Sequence, residues 1–515
     1  MNVSMLLDIA ASAFGDRVVM GSGSEALTPE RLCRLSGLGA AQIVNGGYDS
    51  VVYVSTYGPA FAVAMFSCAR AGVPLVPLNY RMGSDQLGQL RANHRGALVL
   101  SDDTAKAGAI APDQAAQGAG AWWRGLEADG PSSEDWPEAP SDPELPAVLL
   151  YTSGTTSTPK AVILRHRHLT SYVLGTVELG GADESDASLV SVPPYHIAGL
   201  ANLLTNLYSG RRCVVLDAFD PAGWLDVARR ENVTNALVVP TMLARLVEHL
   251  GEQPAQLPSL RSLAYGGART PAPVLERALR LFPDAAFVHA YGLTETSSTI
   301  AVLGPGDHRA ALSSEDPGVR ARLGSVGQLI DGVEIEIRGV DASVLGPSQV
   351  GRIWLRGEQI SGEYVGSAAA LDEAGWFDTR DRGHVDADGY LFIEGRDDDT
   401  IIRGAENIAP AEIEDVLLRH PLVEDAVVVG IPDEEWGQRL AAAVVARDGS
   451  KPDPSELREW VRSHLRSSKT PDTVELWDDL PRTDNGKVIR RAVIERIEEI
   501  RGLEKIQIQI LEGLA

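Results

Sequence analysis

The sequence predicts an α/β fold, with a large N-terminal domain of parallel or mixed sheets under covering helices and a small α+β domain after it. Three observations predict this. Strand-length apolar runs alternate with helical stretches across residues 50–101, the rhythm returns between residues 189 and 288, and the composition shifts at Asp397-Asp398-Asp399. Such alternation implies parallel strands joined by crossover helices, because a short turn cannot close a parallel pair.

In order, Val51-Val52-Tyr53-Val54 reads as a strand, residues 60–71 as a helix and residues 73–78 as the next strand. Residues 86–93 read as helix and Ala97-Leu98-Val99-Leu100 as strand. Residues 105–145, rich in Ala, Gly, Asp, Glu, Ser and Pro, read as a mobile surface connection with room for one short helix. Val148-Leu149-Leu150 and Ala161-Val162-Ile163-Leu164 are strands on either side of a polar tip, which makes a hairpin. Strand signals resume at 189–192, 214–216, 236–239 and 286–288, and residues 304–318 read as irregular. Beyond Arg396, Pro410 starts a helix with Ile413, Val416 and Leu417 on one face. Two strands, Val427-Val428-Val429 and Ala443-Val444-Val445, and an amphipathic helix marked by Leu457, Trp460, Val461 and Leu465 complete the pattern. Domains at 1–395 and 396–515 follow, since 515 residues exceed what one core holds.

The bulk properties narrow the function. The formal net charge is −25, a field that repels nucleic acid and anionic membranes, so neither is an expected partner. No charged-then-apolar leader opens the chain and no run of 18 uninterrupted apolar residues occurs, so the expectation is a cytoplasmic enzyme without a transmembrane segment. Cys33, Cys68 and Cys213 are odd in number and widely spaced, without metal-ligand or disulfide spacing, and read as small buried apolar residues. Oligomeric state is not encoded legibly, and a homodimer is compatible with the chain.

The densest chemical signal is Tyr151-Thr152-Ser153-Gly154-Thr155-Thr156-Ser157-Thr158-Pro159-Lys160. Hydroxyls, backbone N–H groups and one ammonium are what a loop needs to hold a triphosphate. Pro159 stands where the usual P-loop has glycine, and a polar hairpin turn is the competing reading of this segment alone. Downstream lie Tyr265-Gly266-Gly267-Ala268, Tyr291-Gly292-Leu293-Thr294-Glu295-Thr296 and Gly375-Trp376-Phe377-Asp378-Thr379-Arg380-Asp381. Glu394-Gly395-Arg396-Asp397-Asp398-Asp399, Arg403-Gly404-Ala405-Glu406-Asn407-Ile408 and Leu480-Pro481-Arg482-Thr483-Asp484-Asn485-Gly486-Lys487 complete the set.

In this order and spacing the set resembles the adenylate-forming superfamily, in particular its AMP-forming acyl- and aryl-CoA synthetases. The resemblance spans nearly the whole chain. It implies a carboxylate attacking the α-phosphate of ATP to give an acyl-adenylate, then a thiol displacing AMP. Thr152, Ser153, Gly154, Thr155, Thr156 and Lys160 would hold the phosphates. Glu295 would bind Mg²⁺, with Thr294 at the α-phosphate, and a surface glutamate is its bland alternative. Gly267, Ala268, Tyr291 and Gly292 would line adenine, while Asp381 and Arg396 would take the ribose. Lys487 would bridge the substrate carboxylate and the α-phosphate. The resemblance further implies that the C-terminal domain is a lid turning at a hinge, Asp398, to present Arg403, Gly404, Ala405 and Glu406 to CoA. Two positions depart from the family's usual glycine, Ser157 and Ala405.

ATP and CoA are anions, and Lys160, Arg165, Arg167, Arg396, Arg403, Arg482 and Lys487 are the local cations expected to offset the acidic whole. The resemblance implies that His196 is a catalytic residue near the substrate carboxylate and part of a gate to the acyl pocket, and a neutral core histidine is the competing reading. The pocket candidates Tyr195, Ile197, Ala198, Gly199, Leu200, Val239, Tyr265 and Gly266 are apolar, small or aromatic, which suits a fatty, alicyclic or aryl acid. No acid occupies the position that amino-acid-activating relatives use for an ammonium. CoA is the expected acceptor, and a separate carrier protein is the alternative.

Overall fold

The computed structural model describes residues 1–103, 106, 110, 116–129, 136–152, 159–216, 218–403, 406–433, 436–447, 449–483 and 486–500. A five-stranded sheet runs in the order Leu98–Ser101, Val51–Val54, Leu75–Pro77, Pro146–Thr152, Lys160–Arg165. It is parallel except for the final hairpin, in which Thr152 pairs with Lys160. The helix Pro59–Ala71 is buried from Ala60 through Arg70 and packs on the helices Pro29–Asn45 and Ala119–Asp129. Its all-round apolar surface reflects burial on every side. Among the described residues no helix is long and apolar enough to cross a membrane.

The seven-stranded sheet positions the chemistry. Its parallel strands Arg212–Val215, Ala187–Val190, Asn235–Val238, Ser262–Gly266 and Ala286–Leu293 end at one edge. Antiparallel strands Ser298–Leu303 and Gln328–Leu329 extend it. Ligands in open α/β sheets sit outside such carboxyl ends. An antiparallel sheet follows, in the order Glu334–Arg338, Gly351–Arg356, Phe377–Val385, Leu391–Arg396. Residues 401–497 build cores of their own from the strands Val423–Asp433, Gly437–Ala446 and Thr473–Trp477 with the helices Pro410–Leu418 and Pro454–His464. The α/β class and the smaller C-terminal α+β unit are as the sequence predicts.

Three local readings need correction. The connection at 105–145 carries the one short helix the sequence left room for, Ala119–Asp129, but its Trp122 and Trp123 are only 5% and 2% exposed. Two indoles in the main core make this segment part of the packing, not a surface strap. Residues 304–318 are not irregular: the helices Pro305–Ser313 and Pro317–Ala321 each begin with proline, whose fixed φ suits a first turn. Cys68 and Cys213 are buried, but Cys33 is half-buried and touches Asp8 and Arg70, so it belongs to a polar cluster.

Candidate active site

The hairpin of Ala286–Leu293 and Ser298–Leu303 shapes one wall. Its register slips between Tyr291 and Gly292, and a Cβ on Gly292 would stand 1.7 Å from the Ser298 carbonyl oxygen, so this bulge requires glycine. A single 3₁₀ turn, Thr294–Thr296, then caps the strand, with the Leu293 N–H donating to Thr296 Oγ1 at 2.9 Å. The turn holds Glu295 at the rim, where Tyr364 Oη donates to its Oε1 at 2.8 Å. The Glu295 Oε2 atom has no hydrogen-bond partner among the described residues.

The polar hairpin of the first sheet forms the facing wall. Tyr364 bridges to Val162 of that hairpin, and the Lys160 ammonium lies 5.9 Å from the Tyr364 ring centroid. Thr152 and Lys160 stand opposite each other at the loop's base. Ser153, Gly154, Thr155, Thr156 and Ser157 lie outside the described residues.

Asp381 occupies the floor. Strand pairing sets it opposite Arg396, with Arg396 Nε 3.6 Å from its Oδ1. Tyr291 Oη donates to its Oδ2 at 2.5 Å, and its N–H donates to Thr379 Oγ1 at 3.0 Å. Asp381 is only 5% exposed. Burial therefore raises its pKa, while the Tyr291 hydrogen bond, Arg396 and Lys487 pull it back. The Tyr291 phenol is pushed well above its ordinary value by burial and by the Asp381 charge.

Lys487 enters from the C-terminal side on a turn closed at both ends. The Gly486 N–H donates to the Thr483 carbonyl and the Thr483 N–H to the Lys487 carbonyl, both at 2.8 Å. Arg482 anchors this turn by pairing with Asp425 and donating to the Gly486 carbonyl. Gly486 has φ +79°, and a Cβ there would stand 2.2 Å from Thr241 Oγ1 on the helix Pro240–Leu250. The turn thus docks against the large sheet's helix layer. Crowding by protein lowers the Lys487 pKa; Arg396 and Arg490 add to this, while Asp399 and Asp381 oppose it. Lys487, Asp381 and Arg396 share one electrostatic neighbourhood, although the Lys487 side chain keeps surface open to the cleft.

Residues 7–365 match the AMP-binding enzyme family, and residues 412–487 match the AMP-binding enzyme C-terminal domain. The chain belongs to the adenylate-forming enzymes. Among the relatives of this AMP-forming ligase is the feruloyl-CoA synthase of an Amycolatopsis species, 34% identical over 92% of this chain and 94% of its own. The fatty acid–[acyl-carrier-protein] ligase of Streptomyces coeruleorubidus is 34% identical over 91% of each chain. The o-succinylbenzoate CoA synthetase of Bacillus subtilis, solved with its acyl-adenylate intermediate, superposes with a TM-score of 0.81 at 28% identity, over 95% of this chain and 97% of that one.

In this adenylate-forming enzyme the expected local cations divide into two sets. Arg165 forks onto Glu363 at 2.8 and 2.6 Å, Arg167 pairs with Glu144 at 2.9 Å, Arg403 with Asp472 at 2.9 Å, and Arg482 with Asp425. These four are engaged in ion pairs within the chain. Lys160 and Lys487 are exposed, and Arg396 lies against Asp381.

The remaining predicted residues scatter as the backbone dictates. Gly266 ends its strand opposite Ala290, with Gly267 and Ala268 just beyond it. Arg403 and Glu406 face each other across a two-stranded ribbon, and Gly404 and Ala405 lie outside the described residues. Asp398 is the middle of the 3₁₀ turn Asp397–Asp399. On one side Asp397 pairs with Arg352 and Arg382, and on the other Asp399 pairs with Arg490.

The acyl-pocket candidates occupy several different places in the structure. A cavity of ≈ 350 Å³ lies between the helices His166–Thr176 and Ile197–Ser209 and the seven-stranded sheet. Of the predicted pocket residues only Ala198 lines it. Strand alternation turns Tyr265 to the opposite face, where it is fully buried, stacks on His289 at 4.5 Å and bonds His308 at 2.9 Å. Tyr195 is 5% exposed and packs on Tyr80 and His196, while Ile197 and Val239 pack on the first sheet's core. Gly199 and Leu200 are buried in the helix, and His196 stands at its N-cap. The cavity's lining is half polar and includes Asn202, Asn206, Arg211 and Asn235. Reading the sequence missed Tyr364, Thr241 and Arg211, none of which lies in a recognisable motif.

Proposed function

We propose that this enzyme activates an organic acid as its acyl-adenylate and passes the acyl group to CoA, releasing pyrophosphate and AMP. The observation that carries the reading is the convergence of Lys487, Asp381 and Arg396 beneath the Glu295 turn, in a chain of the AMP-binding enzyme family. In the proposed arrangement Asp381 and Arg396 hold the ribose, Gly267 and Tyr291 flank adenine, and Lys160 with the hydroxyl-rich hairpin takes the terminal phosphates. The free Oε2 of Glu295 suits a magnesium ion, a hard cation that prefers one or two carboxylates plus phosphate oxygens. When bound, that ion supplies positive charge shared among phosphate oxygens. The Lys487 ammonium draws the acid's carboxylate toward the α-phosphate and offsets the charge gathering there, a positioning and electrostatic role.

The second half-reaction needs Lys487 out and the Arg403–Asn407 ribbon in. A lid spanning residues 396–515 and turning at Asp398 meets that need, since the carboxylates on either side of Asp398 are tied to opposite parts of the chain. A carrier protein's pantetheine is the second reading, favoured by the acyl-carrier-protein ligase among the relatives. Incubation with Mg-ATP and an acid panel, with and without CoA, separates the two by mass. A CoA-dependent thioester is expected. Adenylate that accumulates unchanged by CoA would move the assignment to carrier loading.

A further inference from the structure

The cavity beside the helix Ile197–Ser209 changes character along its length. At the carboxyl ends of the strands, next to the proposed chemistry, it is lined by Leu237, Ala264 and Ala290. Two residues back on two of the same strands, facing the same way, stand Asn235 and Ser262. The helix repeats the gradient, with Ala198 and Ala201 at its start and Asn202 and Asn206 toward its end. From Ala198 to Asn206 the helix rises about 12 Å.

At the far end stands Arg211. Its Nη1 donates to Asn206 Oδ1 at 3.1 Å, and Asn206 Nδ2 in turn donates to the Asn202 carbonyl at 2.8 Å. Its Nε is buried without a hydrogen-bond partner, and no carboxylate pairs with it among the described residues. Among the described residues no Asp or Glu lines the cavity. Although the chain carries a net charge of −25, Arg211 meets the Asn206 amide and no acid among the described residues. Withdrawing a guanidinium from water without an anion is costly, and a planar fork of donors suits a carboxylate.

We infer that Arg211 is a specificity-determining residue that receives a second, anionic group at the distal tip of the substrate, so that the enzyme prefers acids ending in a carboxylate or comparable oxyanion. The inference rests on the acid-activating reading above and narrows its substrate class: a carboxylate at the Lys487 end, an apolar middle, and a negative tip at the far end of the cavity. A purely structural role, closing the C-terminal end of the helix, is the competing explanation.

The test measures adenylate formation with length-matched pairs of acids, aliphatic and aryl, with and without a terminal carboxylate, at saturating Mg-ATP. Wild-type enzyme should favour the diacid of fitting length by about 10–100-fold in kcat/KM. Arg211→Met should erase that preference through KM and leave monoacid turnover within twofold. Arg211→Lys should restore part of it. Arg211→Glu should turn the preference toward acids carrying a terminal ammonium. Equal loss on every acid, or no wild-type turnover of any matched diacid, would overturn the inference. Failure of the CoA step alone would overturn the acceptor assignment and leave the adenylation preference intact.

Discussion

Tyr364 Oη donates to Glu295 Oε1 at 2.8 Å while the Tyr364 ring lies 5.9 Å from the Lys160 ammonium. One side chain thereby links the acid proposed for magnesium to the cation proposed for the phosphates. The phenol's pKa is raised by burial and by the Glu295 charge, so it remains a donor across the working range. Tyr364→Phe removes the donor and keeps the ring. Pyrophosphate exchange should slow by about tenfold, the size of a lost hydrogen bond to a charged group, and need more magnesium for half-maximal rate. An unchanged magnesium dependence would make Tyr364 a packing residue only.

Gly486 tests whether docking of the C-terminal turn matters to one half-reaction or to both. Alanine there faces two penalties, a φ of +79° and a Cβ 2.2 Å from Thr241 Oγ1. Gly486→Ala should cut adenylation at least thirtyfold, the effect of roughly 2 kcal/mol, and spare thioester formation from supplied acyl-adenylate. Adding Thr241→Ala should return part of the loss, because it removes the two nearest atoms. Equal loss in both half-reactions would contradict a lid that leaves this position between steps.

Lys487 carries a pH signature. A lysine loses its charge as pH rises, and crowding by surrounding protein together with two neighbouring arginines brings that loss below the ordinary 10.5. Adenylation should therefore decline on the alkaline side earlier than a free lysine predicts, with no matching limb for thioester formation. Lys487→Arg should abolish the limb, and Lys487→Ala should lower adenylation by about 10²–10³-fold at every pH.

What could be read from the sequence follows the range of each interaction. The phosphate hairpin was legible because Val148–Leu150 and Ala161–Leu164 are local strand signals around a polar tip. Proline-led helices at Pro305 and Pro317 were legible in principle, since proline at a first turn is a start signal, but their weak apolar periodicity masked them. Tyr265 was assigned to the pocket from its neighbours in the chain, and only the phase of the strand reveals that it faces His308 instead. Arg211 was silent for a deeper reason: an arginine without an acid among the described residues is defined by what surrounds it in space, and Asn235 reaches the same cavity from a strand remote from the helix that carries Asn202 and Asn206. Whether Arg165 serves ligand or structure was equally undecidable until Glu363, distant in sequence, appeared against it.

Buried imidazoles predict how stability responds to acid. Burial lowers His166 to about 4, His168 to about 3 and His289 to about 4, each from an ordinary 6.5. His166 accepts from the Val3 N–H at 3.2 Å and His168 from the Arg165 N–H at 3.1 Å, bonds that require the neutral ring. Because the unfolded chain binds protons at these rings first, their contribution is present above pH 6.5 and is lost as pH falls toward 4. Carboxylates held below their ordinary 4.5 by arginine, such as Glu127 and Glu363, respond mainly at lower pH, while Asp381 and Asp415, raised by burial, act in the opposite sense, so the change from 6.5 to 4.5 is the histidine contribution net of theirs. Each fully titrating ring adds about 1.4 kcal/mol per pH unit. The thermal midpoint should fall steadily through this interval. His168→Asn, which keeps an acceptor where Nδ1 stood and cannot titrate, should flatten the slope by about one ring's share. A midpoint that stays level from pH 6.5 to 4.5 would show that these rings are reached by water and protonate in the folded enzyme.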